Sequence, residues 1–198
     1  MNRSFVLAGL CAFSVWAMSG SAFAQSPIAC SLISEKEALT LVGGPLGEIS
    51  KGEQKPTPEN ANDHRTWCGF FPKGSNVEAY FSRKTKYPPE RGLRLNLNAR
   101  RNSADAKSLY EDTVSMITEA AKAPGNPSRP KVSSLGGMGA VATLEVETIE
   151  PEPKVVYHVA TVYFLKGSVS GAVVVWKKAA PADEIARAAA KQIIAKLP

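Results

Sequence analysis

The chain has 198 residues, of which 44% are hydrophobic and 21% charged, the composition of a globular rather than a disordered or fibrous protein. With 24 basic against 18 acidic residues it is modestly basic. A chain of this length can bury a sizeable core, which excludes a small scaffold that depends on metals or dense disulfides for folding.

The N-terminal segment has the three parts of a secretory signal peptide. Arg3 provides the positive charge, residues 5–18 form an apolar stretch, and residues 22–24 read Ala-Phe-Ala, a small-residue cleavage site. We therefore predict that residues 1–24 are cleaved off after Ala24, leaving residues 25–198 as a single exported domain, periplasmic or secreted. The alternative is an uncleaved membrane anchor, but the apolar stretch is shorter than the roughly 20 residues that span a bilayer. No later segment is apolar enough to span one.

Cleavage would remove Cys11 and leave Cys30 and Cys68 in an oxidising compartment, where an even pair usually forms a disulfide. We predict a structural bridge, because a redox-active pair would be expected as Cys-x-x-Cys at a helix start, and these two cysteines are far apart in the sequence. Neither Cys11 nor Cys30 lies in a good lipoprotein signal.

Capping and periodicity predict a short helix and three strands in the first half. Ser34 and Glu37 have the spacing of a capping box, and Gly43 ends the helix. Residues 51–66 contain two prolines, two asparagines and no apolar period, which predicts a solvated loop. Three apolar or alternating segments then predict strands, the first two as a hairpin: residues 67–71, 77–81 and 93–97.

The second half repeats the order of helix and strands. A longer helix is predicted from Ser103, as its cap, to about Ala123. Beyond Pro130 follow three strands, the last two joined by a tight turn: residues 141–146, 155–164 and 169–176. A final Ala-rich helix begins after Pro181. It has acidic residues in its first turn and lysines toward its end, the distribution that the helix macrodipole favours. This order predicts an α+β fold, a mainly antiparallel curved sheet of about six strands in two three-strand runs, with helices packed mainly on one face.

Residues 30–38, Cys-Ser-Leu-Ile-Ser-Glu-Lys-Glu-Ala, resemble the opening of a loose group of uncharacterised bacterial exported proteins and lipoproteins, whose motif is roughly Cys-x-Leu-Leu-Thr-x-x-Glu-Ala. In that group a second cysteine lies on the first strand, two residues before an aromatic, similar to residues 68–70 here. Residues 135–140 are similar to its Leu-Gly-x-x-Ala segment, but Gly-Met-Gly-Ala replaces the frequent Gly-Asp-Glu-Ala. The resemblance implies this fold and the disulfide, and it implies no activity.

The sequence offers little for catalysis. It lacks the Gly-x-Ser-x-Gly of serine hydrolases. Its two histidines have simpler interpretations than catalysis. His64, in the predicted loop, is interpreted as a solvated polar residue, and His158, in the middle of a predicted strand, as a hydrogen-bonded residue of a sheet face. With both cysteines oxidised, too few zinc ligands remain. The glycine-rich segments at residues 43–44 and 136–139 lack the Lys-Ser/Thr pair of a phosphate-binding loop and are interpreted as turns. We therefore predict no metal and no cofactor. One enzymatic alternative stays open, a hydrolase with His158 as base beside Tyr157 or Tyr163.

The remaining chemical signal is charge. The glutamates between residues 145 and 152 are interpreted as a solvated strand end. Between residues 83 and 101, seven basic residues stand against the single acidic residue Glu90: Arg83, Lys84, Lys86, Arg91, Arg94, Arg100 and Arg101. This basic segment favours an anionic partner such as a lipid headgroup or an envelope polymer, and not nucleic acid, which is not expected in that compartment. Solvated loop and strand-end charges are the alternative interpretation.

The absence of a catalytic set favours a non-catalytic exported binding or interaction module of the cell envelope. Its expected partner is an anionic envelope component or an envelope protein. The competing hypotheses are the hydrolase with His158 and a structural accessory of a larger envelope assembly.

Overall fold

The computed structural model describes residues 28–58, 63–126, 130–152 and 154–198, without the side chain of Glu48. The predicted signal peptide, residues 1–24, lies outside the described residues. None of the described helices is long and apolar enough to cross a membrane.

The described residues form five helices and seven strands. In chain order these are α1 (Ala29–Leu32), α2 (Glu35–Val42), β1 (Glu48–Gln54), β2 (Asp63–Phe71), α3 (Val77–Phe81), β3 (Arg91–Arg100), α4 (Ser103–Lys122), β4 (Lys131–Leu135), β5 (Val141–Glu152), β6 (Val155–Lys166), β7 (Val169–Lys178) and α5 (Asp183–Lys196).

All seven strands belong to one sheet in the order β1-β2-β3-β7-β6-β5-β4, and every pairing is antiparallel. Two runs of sequential strands, β1 to β3 and β4 to β7, meet along β3 and β7, where Leu95 lies opposite Val173. Helix α4 leads from β3, at the centre of the sheet, to β4 at its far edge. The mainly antiparallel sheet with helices is confirmed, and it has seven strands rather than six.

Strand alternation gives the sheet two faces with different coverings. On the first, which we call the core face, Leu93, Leu95 and Val173 belong to the main hydrophobic core together with residues of α1, α2 and α5. On the second, which we call the groove face, α3 and α4 pack: Val77 of α3 lies in a smaller apolar cluster with Trp176 of β7. The predicted packing of helices mainly on one face is therefore wrong for α4, the longest helix.

Helix α4 is fixed to the groove face by a polar contact. The Tyr110 hydroxyl lies 2.8 Å from Thr143 Oγ1 of β5 in a buried hydrogen bond. The helix is capped by Asn102, whose side chain accepts from the Asp105 backbone N–H at 2.8 Å. The prediction of Ser103 as the cap is thus wrong by one residue. Asn and Ser are both favoured N-cap residues, so residue type alone does not decide between these two neighbours.

The disulfide predicted from the cysteine count joins Cys30 of α1 to Cys68 of β2, with Cα atoms 5.0 Å apart. Cys68 is fully buried on the core face, and beside it the Ala29 backbone N–H donates to Thr66 Oγ1 at 3.1 Å. A buried bridge of this kind fits an exported protein. It attaches the N-terminal described segment to the sheet.

Helix α5 is tied to the same N-terminal segment. The Lys196 ammonium donates to Leu32 O at 2.8 Å and to Glu37 Oε1 at 2.6 Å. Glu37 also completes the predicted capping box with Ser34. The hydrogen bond from Lys196, with those from Ser34, lowers the pKa of Glu37 from 4.5 to about 2.

Two segments differ from their predicted structure. Residues 77–81 form helix α3 and not a strand, because Val77, Tyr80 and Phe81 have the three- and four-residue spacing of one helix face. The predicted loop at residues 51–66 contains the end of β1 and the start of β2. Its described polar residues pair as strands because backbone hydrogen bonds, not apolar side chains, hold this edge of the sheet.

Candidate functional site

A groove crosses the groove face between α3 and α4, where neither helix covers the strands. Its centre is a cavity of about 420 Å³ whose lining includes Trp67, Arg94 and Tyr163. Trp67 and Arg94 also line a flanking cavity toward β1, and Tyr163 also lines one toward β5. The three cavities adjoin one another at these shared side chains on the groove face, and we call them together the groove.

The register of the strands places charged residues of opposite sign in one row along the groove floor. Arg94 of β3 lies opposite Val174 of β7, and Val174 lies opposite Thr161 of β6. Thr161 in turn lies opposite Glu145 of β5. Adjacent strands are about 4.8 Å apart, so three strand spacings separate the Cα atoms of Arg94 and Glu145 by about 14 Å.

At the β3 end, the Arg94 guanidinium is held by aromatic rings and not by a carboxylate. Its Cζ lies 4.2 Å from the centroid of the Phe81 ring and 5.8 Å from that of the Trp67 ring. Its Nε donates to Asn96 Oδ1 at 2.9 Å. The side chain is half-buried, and desolvation lowers the pKa of Arg94 from its ordinary value.

Within the described residues, Arg94 forms no ion pair, and its two terminal nitrogens have no hydrogen-bond partner. Both nitrogens belong to a side chain that lines the groove. A planar guanidinium with open donors on one edge is suited to a carboxylate, sulfonate or phosphate oxygen pair. This end of the groove can therefore bind an anionic group.

The two rings around Arg94 pack against further residues, although Phe81 is 39% exposed. Phe81 contacts Phe71 and Trp176 edge-on, with centroid distances of 6.2 and 5.8 Å. The Trp67 indole lies across Gly52 of β1, where a Cβ atom would overlap the ring. Gly52 thus leaves the space that lets Trp67 lie flat beside Arg94.

At the β5 end the groove is acidic. The Tyr163 hydroxyl donates to Glu145 Oε2 at 2.7 Å. Burial, followed by the charge of Glu145, raises the pKa of Tyr163 above its usual range, so that the hydroxyl stays protonated and keeps donating. Glu145 is only 7% exposed, and its Oε1 takes no hydrogen bond from the described residues. Glu147 lines the same end of the groove.

The two charged ends of the groove are well separated along the sheet. The Cα atoms of Arg94 and Glu145 lie about 14 Å apart by strand spacing, so the two side chains contact different parts of any extended bound molecule. Between them the floor is formed by small or apolar side chains such as Ala172 and Val174.

The structure does not bring the seven residues of the basic segment onto one surface. Arg94 and Arg100 extend from β3 toward the groove face, where Arg100 lies 3.7 Å from Asp63 Oδ2. Arg91 points to the core face and its Nη2 lies 3.3 Å from Pro45 O. The remaining four are exposed beside the strand: Arg83, Lys84, Lys86 and Arg101. Of the seven, Arg94 is the one at the centre of the groove, and Arg83 lies on its rim.

The hypothesis that His158 acts as a base beside Tyr157 or Tyr163 is contradicted by the strand pleat. His158 has the parity of Ala160 and points to the core face, whereas Tyr157 and Tyr163 point to the groove face. Neither tyrosine can therefore act beside this ring. The other histidine, His64, is in β2 and not in a loop, with Nε2 2.7 Å from Glu53 Oε1.

The described part of the chain contains no cluster of three or more His, Cys, Asp or Glu side chains arranged to hold a metal ion.

The sequence-based predictions do not identify Trp67, Phe81 and Glu145 as groove residues. Glu145 was interpreted as solvated, and it is buried instead. The available signal was its position between apolar neighbours on β5, which places a carboxylate on a covered face.

No protein-family model matches the chain. No curated protein matches it. Among solved structures, the extracellular domain of PknH from Mycobacterium tuberculosis is similar with a TM-score of 0.48 and 9% sequence identity, over 83% of this chain and 96% of that one.

Proposed function

We propose that this chain is an exported, non-catalytic binding module whose groove binds a ligand through an anionic group placed at Arg94. The observation that carries the proposal is the guanidinium of Arg94, half-buried between two aromatic rings with its terminal nitrogens open to the groove. The disulfide between Cys30 and Cys68 supports the exported location.

The energetics of Arg94 support a ligand. Desolvating a cation without a counter-charge is unfavourable, and the cation–π contacts offset only part of that cost, about 0.5 to 2 kcal/mol each. An anionic group in the groove would supply the missing charge and two parallel hydrogen bonds. Since the rings of Phe81 and Trp67 already fix the guanidinium, little further side-chain entropy is lost on binding.

The proposal narrows the expected binding site for an anionic partner from the whole basic segment to the cavity at Arg94. Four of the seven cations of the basic segment are exposed in loops and would add only long-range attraction. Arg94 alone combines burial, open donors and a cavity of about 420 Å³. The ligand class is therefore a small molecule, or part of a larger envelope component, that carries a carboxylate, sulfonate or phosphate.

The test uses phenyl phosphate, with phenol as the neutral counterpart, titrated into the exported, oxidised protein. The indole N–H signals of Trp67 and Trp176 report on the groove, because both rings line it. We expect saturable shifts with phenyl phosphate, at least tenfold weaker binding of phenol, and at least tenfold weaker phenyl phosphate binding by Arg94→Gln.

Arg187→Gln is the matched control, because this exposed arginine lies on α5, across the sheet from the groove. It should bind phenyl phosphate like the unmodified protein. Arg94→Lys keeps the charge and loses the planar fork, and is expected to fall between the two. Equal affinity of Arg94→Gln and Arg187→Gln, with both proteins folded by amide chemical-shift dispersion, would refute the anion site.

A further inference from the structure

We infer that the ligand of the groove is dipolar and extended, a zwitterionic peptide of about four residues with its carboxylate at Arg94 and its ammonium at Glu145. This inference rests on the proposed function, since it assigns the anionic group to Arg94. It adds a second recognition point, a length and a direction.

The length comes from the strand register. Three pairings connect Arg94 to Glu145 across β3, β7, β6 and β5. Three strand spacings place the Cα atoms of Arg94 and Glu145 about 14 Å apart, and an extended peptide rises about 3.3 Å per residue, so a peptide of about four residues matches this span of the floor. Such a peptide would lie across the strands, between α3 and α4.

The ammonium site is argued from Glu145. Its Oε2 is held by the Tyr163 hydroxyl, which fixes the carboxylate in one orientation. Oε1 takes no hydrogen bond from the described residues, although the side chain is almost fully buried. Arg83 on the rim of this end forms no ion pair in the described structure. A protonated amine would supply both a donor and a counter-charge for the carboxylate.

The middle of the groove suits small side chains. The floor between the charges is formed by Val174 and Thr161, with Ala172 in the neighbouring row. Ile117 of α4 and Phe81 of α3 form the walls. These groups offer apolar contact along the peptide and leave selectivity to the two termini.

The test compares four forms of tetra-alanine by NMR titration of the exported, oxidised protein: free, N-acetylated, C-amidated, and modified at both ends. We expect the free peptide to bind, and each modification to weaken binding about tenfold. In Arg94→Gln, amidation should have no further effect, and in Glu145→Gln, acetylation should have none. Glu184→Gln on the exposed face of α5 is the matched control for the second variant.

The outcomes separate this inference from the proposed function. If amidation weakens binding through Arg94 while acetylation changes nothing, the anion site stands and the peptide inference is refuted. If free tetra-alanine does not bind where phenyl phosphate does, the peptide inference is likewise refuted. If dialanine or hexa-alanine binds as well as tetra-alanine, the length derived from the register is wrong. Because the modifications are made on the peptide, a folding failure of Glu145→Gln does not weaken the test.

Discussion

Removing the disulfide should cost this protein a large part of its stability. The perturbation is the double variant Cys30→Ser/Cys68→Ser, which leaves α1 held to the sheet by buried side chains and by the hydrogen bond from Ala29 to Thr66. The bridge closes a loop with a sequence separation of 38 residues. In the chain-entropy description, opening such a loop lowers the free energy of unfolding by about 4 kcal/mol at 25 °C.

The assay is urea unfolding at pH 7, followed by tryptophan fluorescence, on oxidised protein, on reduced protein and on the double variant. With a urea slope of about 2 kcal/mol/M, a loss of 4 kcal/mol lowers the midpoint by about 2 M. Reduced protein should behave like the double variant. Cys68 points to the core face and Trp67 to the groove face, so the folded variant should retain the phenyl phosphate shifts of the Trp67 indole.

Two results would refute this reasoning. A difference below about 1 kcal/mol between oxidised and reduced protein would mean that the bridge constrains the unfolded chain far less than its loop length requires. A loss confined to the double variant, and absent on reduction, would trace the effect to the buried serines.

Three further predictions concern single positions. Gly171→Ala should lower the unfolding free energy by about 2 kcal/mol in urea titrations, because its Cβ would lie 2.5 Å from a buried ring and 2.8 Å from a backbone oxygen; Gly136→Ala, with open space at that position, should stay within about 0.5 kcal/mol. Glu37, whose pKa is lowered from 4.5 to about 2 chiefly by the hydrogen bond from the α5 lysine, stabilises the fold above pH 4.5. As its side chain is partly exposed, about 1 kcal/mol should be lost as the pH falls from 5 to 2, and Glu37→Gln should lack this pH dependence in thermal unfolding. Asn102→Ala should destabilise by about 1 kcal/mol and Ser103→Ala by clearly less, and similar losses would contradict the observed cap.

The strands that could be predicted from the sequence are those with a buried side. Leu93, Leu95 and Leu97 of β3 alternate with polar residues, and the structure buries all three. The two missed strands, β1 and β4, are the edges of the sheet. An edge strand pairs on one side only and here carries mostly exposed side chains, so its sequence lacks the alternation that identifies interior strands.

The side of the sheet that each helix covers could not be derived either. The apolar stripe of α4, with Tyr110 and Ile117 buried, shows only that one face of the helix is covered. Both faces of a sheet accept such a stripe. The choice is made by the connection from β3 at the centre to β4 at the edge, and this connection depends on the pairing of β3 with β7 between distant parts of the chain.

The site was partly visible in the sequence. Arg94 was one of seven cations in the basic segment, but its distinction from Arg91 comes from the strand pleat, which sends the two to opposite faces. Its aromatic partners Trp67 and Phe81 lie on β2 and α3. Phe81 lies in a segment whose sequence predicts a strand. The contact between its ring and Arg94 follows from the helix that this segment forms instead.

The distance between the backbone positions of Arg94 and Glu145 is a property of the sheet and not of its loops. Arg94 belongs to the first run of strands and Glu145 to the second, and the pairing of β3 with β7 fixes how many strands lie between them. Backbone hydrogen bonds hold that strand spacing constant, whereas α3 places the Phe81 ring against the Arg94 guanidinium and forms part of the rim. Changes in α3 would therefore alter how the guanidinium is held and how closely a ligand is covered, while the strand spacing between Arg94 and Glu145 would stay the same. In the proposed binding module, the preference for ligand length would thus depend mainly on the pairing of the strands.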